Sequence, residues 1–278
     1  EVVWEVLPAI PDKEGFAGMF AGTSNGVLLV GGGANFPEKR PWEGGEKFWY
    51  DEIYFMEDIE TGWKLSKQKL PQKLAYMVSG TYKNKVWVIG GNDAKAHTDL
   101  VISLAYQNGE IVIENDYPQL PVPLANMTGA IVNGILYVLG GQQTSTGLAE
   151  TKFYILDLNR NKEDMKWVEG PIFPGKARIQ AVAASHKDVF YVFSGFTLHH
   201  NTDGSLGRKL LKDAYRFIPS EQPKEGIWQQ INNLPRGVAA APSPAFSLGG
   251  DHILIAGGLD EETLKHTDPA SHPGFLDK

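Results

Sequence analysis

Several stretches of this 278-residue chain carry residue types that do chemistry in other settings, and most of them fail on context. Gly22-Thr23-Ser24-Asn25-Gly26 has the spacing of a nucleophile elbow, but an elbow turns from a strand into a helix, and here Val27-Leu28-Leu29-Val30 reads as a strand at once. Asn25-Gly26 is instead the two-residue signature of a hairpin turn. Gly31 to Phe36 lacks the third glycine and the helix of a dinucleotide cradle. His199-His200 are adjacent in a long loop (Phe196 to Leu211) and would need a third ligand from elsewhere to hold a metal, so they read as loop surface, with His199 a minor candidate, and no metal is expected. Asn126-Met127-Thr128 fits a glycosylation sequon, which is a weak signal. The absence of cysteine excludes disulfides, thiolate metal sites, cysteine nucleophiles and any copper radical cofactor built on a cysteine joined to a tyrosine.

The elements that must position any site announce themselves as a repeat. An apolar strand running into glycines occurs five times, ending at Gly31-Gly32, Gly90-Gly91, Gly140-Gly141, Ser194-Gly195 and Gly257-Gly258. Counted from the second glycine, the intervals are 59, 50, 54 and 63 residues, the period of kelch-type propeller blades. Each repeat reads as four antiparallel strands: a small-residue strand, the apolar strand, an aromatic-containing strand, and an outer strand carrying Trp63, Trp167 or Trp228 (Ile113 in the second repeat) before a proline corner. Glycine suits the crowded axis of such a wheel, and tryptophan the wedge that widens between blades.

The expected fold is all-β, a single kelch-type propeller domain over residues 1–278, with repeats near 15–69, 70–119, 120–171, 172–233 and an incomplete one at 234–278. Residues 1–9, with Trp4, read as the outer strand of the closing blade. Either Trp4 completes the fifth repeat, or residues beyond Lys278 supply the rest of a sixth; six blades in the intact protein is the favoured reading, because nothing after Gly258 reads as a third strand.

Composition narrows the partners. A net charge of −7 without any cluster of lysine and arginine argues against nucleic acid and anionic membranes. No apolar run approaches the about 18 residues that cross a bilayer. In a propeller, the segment before each innermost strand and the segment after each glycine pair emerge on one rim, around the channel mouth. That rule selects Arg178 and Gln180, Tyr76, Asn126, Asn35 and Phe36 as binding candidates, with Asn92, Asp93, Gln142 and Phe196 beside them. The long loop from Gly33 to Asp51, with Trp42, Phe48 and Trp49, is a candidate lid or wall. Its Glu43, Glu46 and Asp51 are possible proton donors that read more simply as solvated charge.

Four stretches go beyond a generic repeat: Gly33-Ala34-Asn35-Phe36-Pro37, Pro41-Trp42-Glu43-Gly44-Gly45, Lys47-Phe48-Trp49-Tyr50-Asp51, and Phe173-Pro174-Gly175-Lys176-Ala177-Arg178-Ile179-Gln180. Together with Gly15 to Gly22 and Leu74-Ala75-Tyr76, they resemble the N-acetylneuraminate epimerase (sialic acid mutarotase) family, in a cyclically permuted order. The resemblance implies an isomerase that interconverts the anomers of N-acetylneuraminic acid or a related keto sugar acid by acid/base ring opening, with no cofactor. It implies a small sugar acid as partner and a periplasmic or secreted location, a cytoplasmic one also being compatible. The family's acid/base glutamate lies on the blade between the Gly258 repeat and Trp4 and has no match in this chain, so the catalytic residue stays unassigned. Arg178 is the first choice for the substrate carboxylate, against the alternative of a blade-to-blade salt bridge. No Ser-x-Asp-x-Gly-x-Thr-Trp box of a sialidase is present. The competing reading is a non-catalytic kelch module that binds a glycan or a protein on the same rim.

Overall fold

The structure, a computed structural model, describes residues 3–266 and resolves into two compact units, 1–119 and 120–278. In the first unit, β1 (Phe20–Ser24) and β2 (Val27–Gly31) form a hairpin whose turn residues Asn25 and Gly26 both sit at left-handed φ, +50° and +81°. The Asn-Gly signal is therefore a hairpin turn, as read. A two-stranded ribbon follows, β3 (Ala34–Asn35) against β4 (Phe48–Trp49), and then β5 (Ile53–Met56) and β6 (Lys64–Leu65) complete a four-stranded antiparallel sheet in the order β1-β2-β5-β6. The second repeat gives β7 (Val78–Tyr82), β8 (Lys85–Ile89), β9 (Val101–Gln107) and β10 (Glu110–Glu114) in consecutive order. Phe20, Leu29, Ile53 and Phe55 of the first sheet and Val86, Val88, Ile102 and Leu104 of the second are buried in one shared core.

The second unit repeats this plan. β11 (Ala125–Val132), β12 (Ile135–Gln142), β13 (Phe153–Asp157) and β14 (Val168–Glu169) form one sheet. β15 (Val182–His186) and β16 (Val189–Phe193) begin the next. Another ribbon then intervenes, β17 (Phe196–His200) with β18 (Leu206–Leu210), before β19 (Ala214–Ile218) and β20 (Ile227–Ile231) complete that sheet. The stretch from Phe196 to Leu211, read as a loop, is thus a hairpin ribbon in the same place as β3–β4. Trp228 meets Phe153, Phe173, Phe190 and Phe217 with centroids 4.9–6.1 Å apart, filling the wedge between two sheets as its outer position predicts.

The fifth repeat supplies β21 (Phe246–Ser247), β22 (Ile253–Leu254) and a short helix α1 (Glu261–His266), which sequence reading did not anticipate. Residues 267–278 lie outside the described residues. The outer strand expected near Trp4 does not form: residues 3–9 have no strand partner, and Trp4 and Val6 are 73% and 97% exposed. A strand needs a neighbour to satisfy its backbone, and the contact found here is Trp63 Nε1 donating to the carbonyl of Pro8 at 2.7 Å.

The first repeat also needs a one-residue correction. Gly31 ends β2, and the pair equivalent to Gly90-Gly91 and Gly140-Gly141 is Gly32-Gly33, both at left-handed φ (+63° and +93°). Three glycines in a row hid the register. A Cβ on Gly32 would sit 2.4 Å from the carbonyl oxygen of Leu74, whereas one on Gly26 would meet nothing within 4 Å. Both positions carry the left-handed penalty of about 1–2 kcal/mol for alanine, so their difference isolates the close approach. In urea unfolding, Gly32→Ala should destabilise the protein by at least about 2 kcal/mol more than Gly26→Ala; equal losses would mean that the close approach contributes nothing.

Candidate active site

One backbone device recurs at the start of each repeat. Gly18, Tyr76, Asn126, Gln180 and Ala240 all sit at left-handed φ, between +52° and +67°. In each case the preceding residue pairs with the residue just after the glycine pair: Ala17 with Ala34, Ala75 with Asn92, Ala125 with Gln142, Ile179 with Phe196, and Ala239 with Leu259. The two kinds of segment picked out by the rim rule are therefore neighbours in every repeat. Within each unit these positions are also joined in series, Tyr76 N–H donating to Gly18 O at 2.8 Å, Gln180 N–H to Asn126 O at 2.8 Å and Ala240 N–H to Gln180 O at 3.0 Å. A tyrosine at φ +59° is strained by about 1–2 kcal/mol, and such strain collects where side chains must be aimed.

In the first unit, Asn35, Phe36 and Tyr76 line one concavity of about 460 Å3. Sequence reading missed three charged groups there: Glu14, Arg40 and Lys47. The Lys47 ammonium donates to the Tyr76 hydroxyl and lies 4.3 Å from the centroid of that ring and 5.0 Å from that of Trp49. Trp49 is fixed in turn by its indole N–H, which donates to Asn92 Oδ1 at 2.9 Å. Arg40 reaches Glu14 at 2.6 Å. Asn35 is buried and fully used: its amide donates to Gly15 O (2.8 Å) and Asp12 Oδ1 (3.2 Å), and its oxygen accepts from Tyr50 at 2.7 Å. It holds the wall, with both amide N–H groups engaged. Burial, and after it the nearby Asp12 carboxylate, pushes the Tyr50 phenol above its ordinary pKa, so it remains a donor to Asn35.

The Gly33 to Asp51 loop is a wall, formed by β3, β4 and the 3-10 turn Pro41–Glu43. The Trp42 side chain lies outside what is described. Glu43 is exposed and accepts from the Arg40 N–H, and Asp51 pairs with Lys69 at 2.8 Å, both ordinary structural roles.

The second unit holds the other expected residues. Arg178, expected to face a substrate carboxylate, instead faces a protein one. It is 1% exposed, and its guanidinium donates to both oxygens of Asp213 (3.0 and 2.9 Å), to Ser194 O (2.9 Å) and to Lys176 O (3.0 Å). Phe173 and Tyr215 cover its faces at 4.9 and 5.4 Å. Four of the five N–H groups of an arginine are thereby engaged by groups of its own repeat, so Arg178 forms an ion pair within one repeat, neither a blade-to-blade bridge nor a free fork for a substrate carboxylate. Gln180 Nε2 donates to Asn126 Oδ1 at 3.1 Å, and the rest of this half-buried amide pair has no side-chain partner among the described residues. Gln142 donates to Thr144 O, Asp93 caps the turn at Lys95 and Ala96, and Phe196 is core. His199 and His200 alternate across β17, and no group of three metal-ligating side chains occurs among the described residues.

The sequence pattern of the N-acetylneuraminate epimerase family matches residues 2–113 and 117–267. The chain belongs to the N-acetylneuraminate epimerase family. Its relatives include the N-acetylneuraminate epimerase of Salmonella arizonae (strain ATCC BAA-731), 41% identical over 117 residues, which are 38% of this chain and 30% of that protein. That of Haemophilus influenzae (strain PittEE) is 36% identical over 154 residues, 53% of this chain and 37% of that one. The chain thus spans about a third of the length of the curated relatives it matches. The structure of YjhT superposes with a TM-score of 0.74 at 15% identity, over 93% of this chain and 81% of that one, which shows the all-β, kelch-type propeller fold.

Within this epimerase-family chain the buried pair makes a test of its own. Removing Asp213 strands the Arg178 guanidinium, and breaking such a pair costs about 3–5 kcal/mol. Asp213→Ala should lower stability in urea by about 3 kcal/mol and Asp213→Asn by distinctly less, since the amide oxygen still accepts; an unchanged midpoint for both would show that Arg178 does not depend on this carboxylate.

Proposed function

We propose that this protein interconverts the anomers of N-acetylneuraminate or a related keto sugar acid, and that the first-unit concavity takes the acid end of that sugar. The observation that carries the reading is Lys47: a half-buried ammonium with no carboxylate partner among the described residues, held between two aromatic rings in a concavity that also offers a carboxylate and a hydroxyl. A cation fixed this way is ready for an anion from outside, and the membership of the epimerase family supports a sugar acid as that anion.

Ring opening of a hemiketal needs the anomeric hydroxyl proton removed and the ring oxygen protonated; ring closure reverses both on the other face. Glu14 is the carboxylate available to take the proton, oriented by Arg40, and the Tyr76 hydroxyl is the group available to give one, oriented by Lys47. Phe36 supplies apolar surface. The chemistry calls for no metal and no organic cofactor.

The test is the rate at which freshly released N-acetylneuraminate reaches its anomeric equilibrium, followed by NMR with the full-length protein. Lys47→Met should raise KM at least tenfold with a smaller change in kcat, and Glu14→Gln should lower kcat about a hundredfold with KM little changed. Tight sugar binding without any acceleration would overturn the enzyme reading in favour of a glycan-binding module.

A further inference from the structure

A second concavity, of about 350 Å3, lies wholly within the second unit. It opens at the far end of the strands that carry the rim residues. β12 pairs with β11 at Gln142 next to the left-handed Asn126, and the concavity takes in Ile135 and Tyr137 at the opposite end of β12. Seven residues of strand separate Ile135 from Gln142, roughly 23 Å at about 3.3 Å per residue, so the two places share no side chain.

The floor is apolar: Ile135, Ile155, Val168 and the ring of Phe217. Among them Tyr137 stands out. Its side chain belongs to the aromatic core, 5.6 Å from Phe217 and 5.3 Å from Phe190 between centroids, and the residue is only 3% exposed. Yet its hydroxyl has no hydrogen-bond partner among the described residues. A phenylalanine would fill the same core; what tyrosine adds is a hydroxyl that reaches the surface of the concavity. A phenol whose ring is buried and whose hydroxyl opens into a concavity with no protein partner can donate to water or to an acceptor from outside.

The mouth fixes the charge of what enters. Asp157, Asp164 and Glu221 line it together with Arg160 and Lys166, and Arg160 is already held by Asp157 at 3.1 Å. Three acids against two bases leave no surplus of positive charge for an anion. Burial, with Asp157 adding to it, pushes the Tyr137 phenol up to about 12, so at neutral pH it is a proton-bearing donor.

We propose that this concavity is a second ligand site, distinct from the sugar-acid concavity, which binds a neutral small molecule with an apolar ring or branched body and one oxygen acceptor that meets the Tyr137 hydroxyl. The size suits a ligand of one ring and a few further atoms. The inference does not rest on the epimerase reading, because it uses none of the same residues.

The probe is acetophenone, a neutral aromatic ketone, titrated into the full chain with methyl-labelled isoleucine and valine and followed by NMR. Saturable shifts should appear at Ile135, Ile155 and Val168 and not at Ile53 or Ile102. Ethylbenzene, which lacks the acceptor, and benzoate, which adds a charge, should each bind at least fivefold more weakly. Tyr137→Phe, which keeps the core ring, should weaken acetophenone about fivefold and leave ethylbenzene unchanged, as loss of one hydrogen bond predicts. Absence of saturable shifts at those three methyls, shifts spread equally over Ile53 and Ile102, or equal affinity for ketone and hydrocarbon in the unmodified protein would each overturn the proposal.

Discussion

The contact on which the rest depends is between backbones. Gly33 donates its N–H to Leu74 O at 2.7 Å, Gly141 to Arg178 O at 2.9 Å and Gly195 to Val238 O at 3.0 Å, so the end of the apolar strand in one repeat is bonded to the segment that begins the next. Such bonds require main chains to touch with no Cβ between them, and that is why the glycines follow the apolar strand. Where serine replaces the first glycine, at Ser194, the position is buried and still left-handed at φ +56°, and its hydroxyl accepts the Val238 N–H at 2.7 Å. The replacement survives because it adds a bond at the same junction.

From that junction the side chains of interest are aimed. The left-handed residue that begins each repeat is clamped on one side by pairing across the glycines and on the other by a backbone hydrogen bond with the equivalent residue of a neighbouring repeat. The clamp overcomes the reluctance of Tyr76, Asn126 and Gln180 to adopt such a conformation. Glycine at position 18 is equally specific: a Cβ there would lie 2.7 Å from the Tyr76 ring, so the small residue of one repeat makes the space that the aromatic residue of the next occupies. Lys47 then meets Tyr76 because the β3–β4 ribbon folds back over that place. The two units use their charge differently. The first leaves an ammonium with no acid partner among the described residues, while the second neutralises its buried arginine internally.

What was legible in the sequence is what local pattern controls. Val86-Trp87-Val88-Ile89 before Gly90 is a strand by composition, and Asn25-Gly26 is a turn by its backbone preference. The rim rule reached Asn35, Phe36 and Tyr76, which share one concavity, because position in a repeat is itself a local property. Contacts between distant residues were not legible. Asp213 lies 35 residues from Arg178, and Tyr76 lies 29 from Lys47, so neither the neutralised arginine nor the aromatic-caged lysine could be read from spacing. Residues 3–9 are not a strand among the described residues, since strand-like composition forms a strand only when another strand receives its hydrogen bonds.

The proposed activity is anomer exchange at a site aimed by strained backbone. Exchange spectroscopy on carbon-13-labelled N-acetylneuraminate at anomeric equilibrium measures that exchange with no net reaction and no coupling enzyme. Cross-peaks between the two anomers should grow with the concentration of the full-length protein and shrink strongly with Lys47→Met. An exchange rate equal to that of buffer alone, at protein concentrations where the sugar is bound, would contradict it.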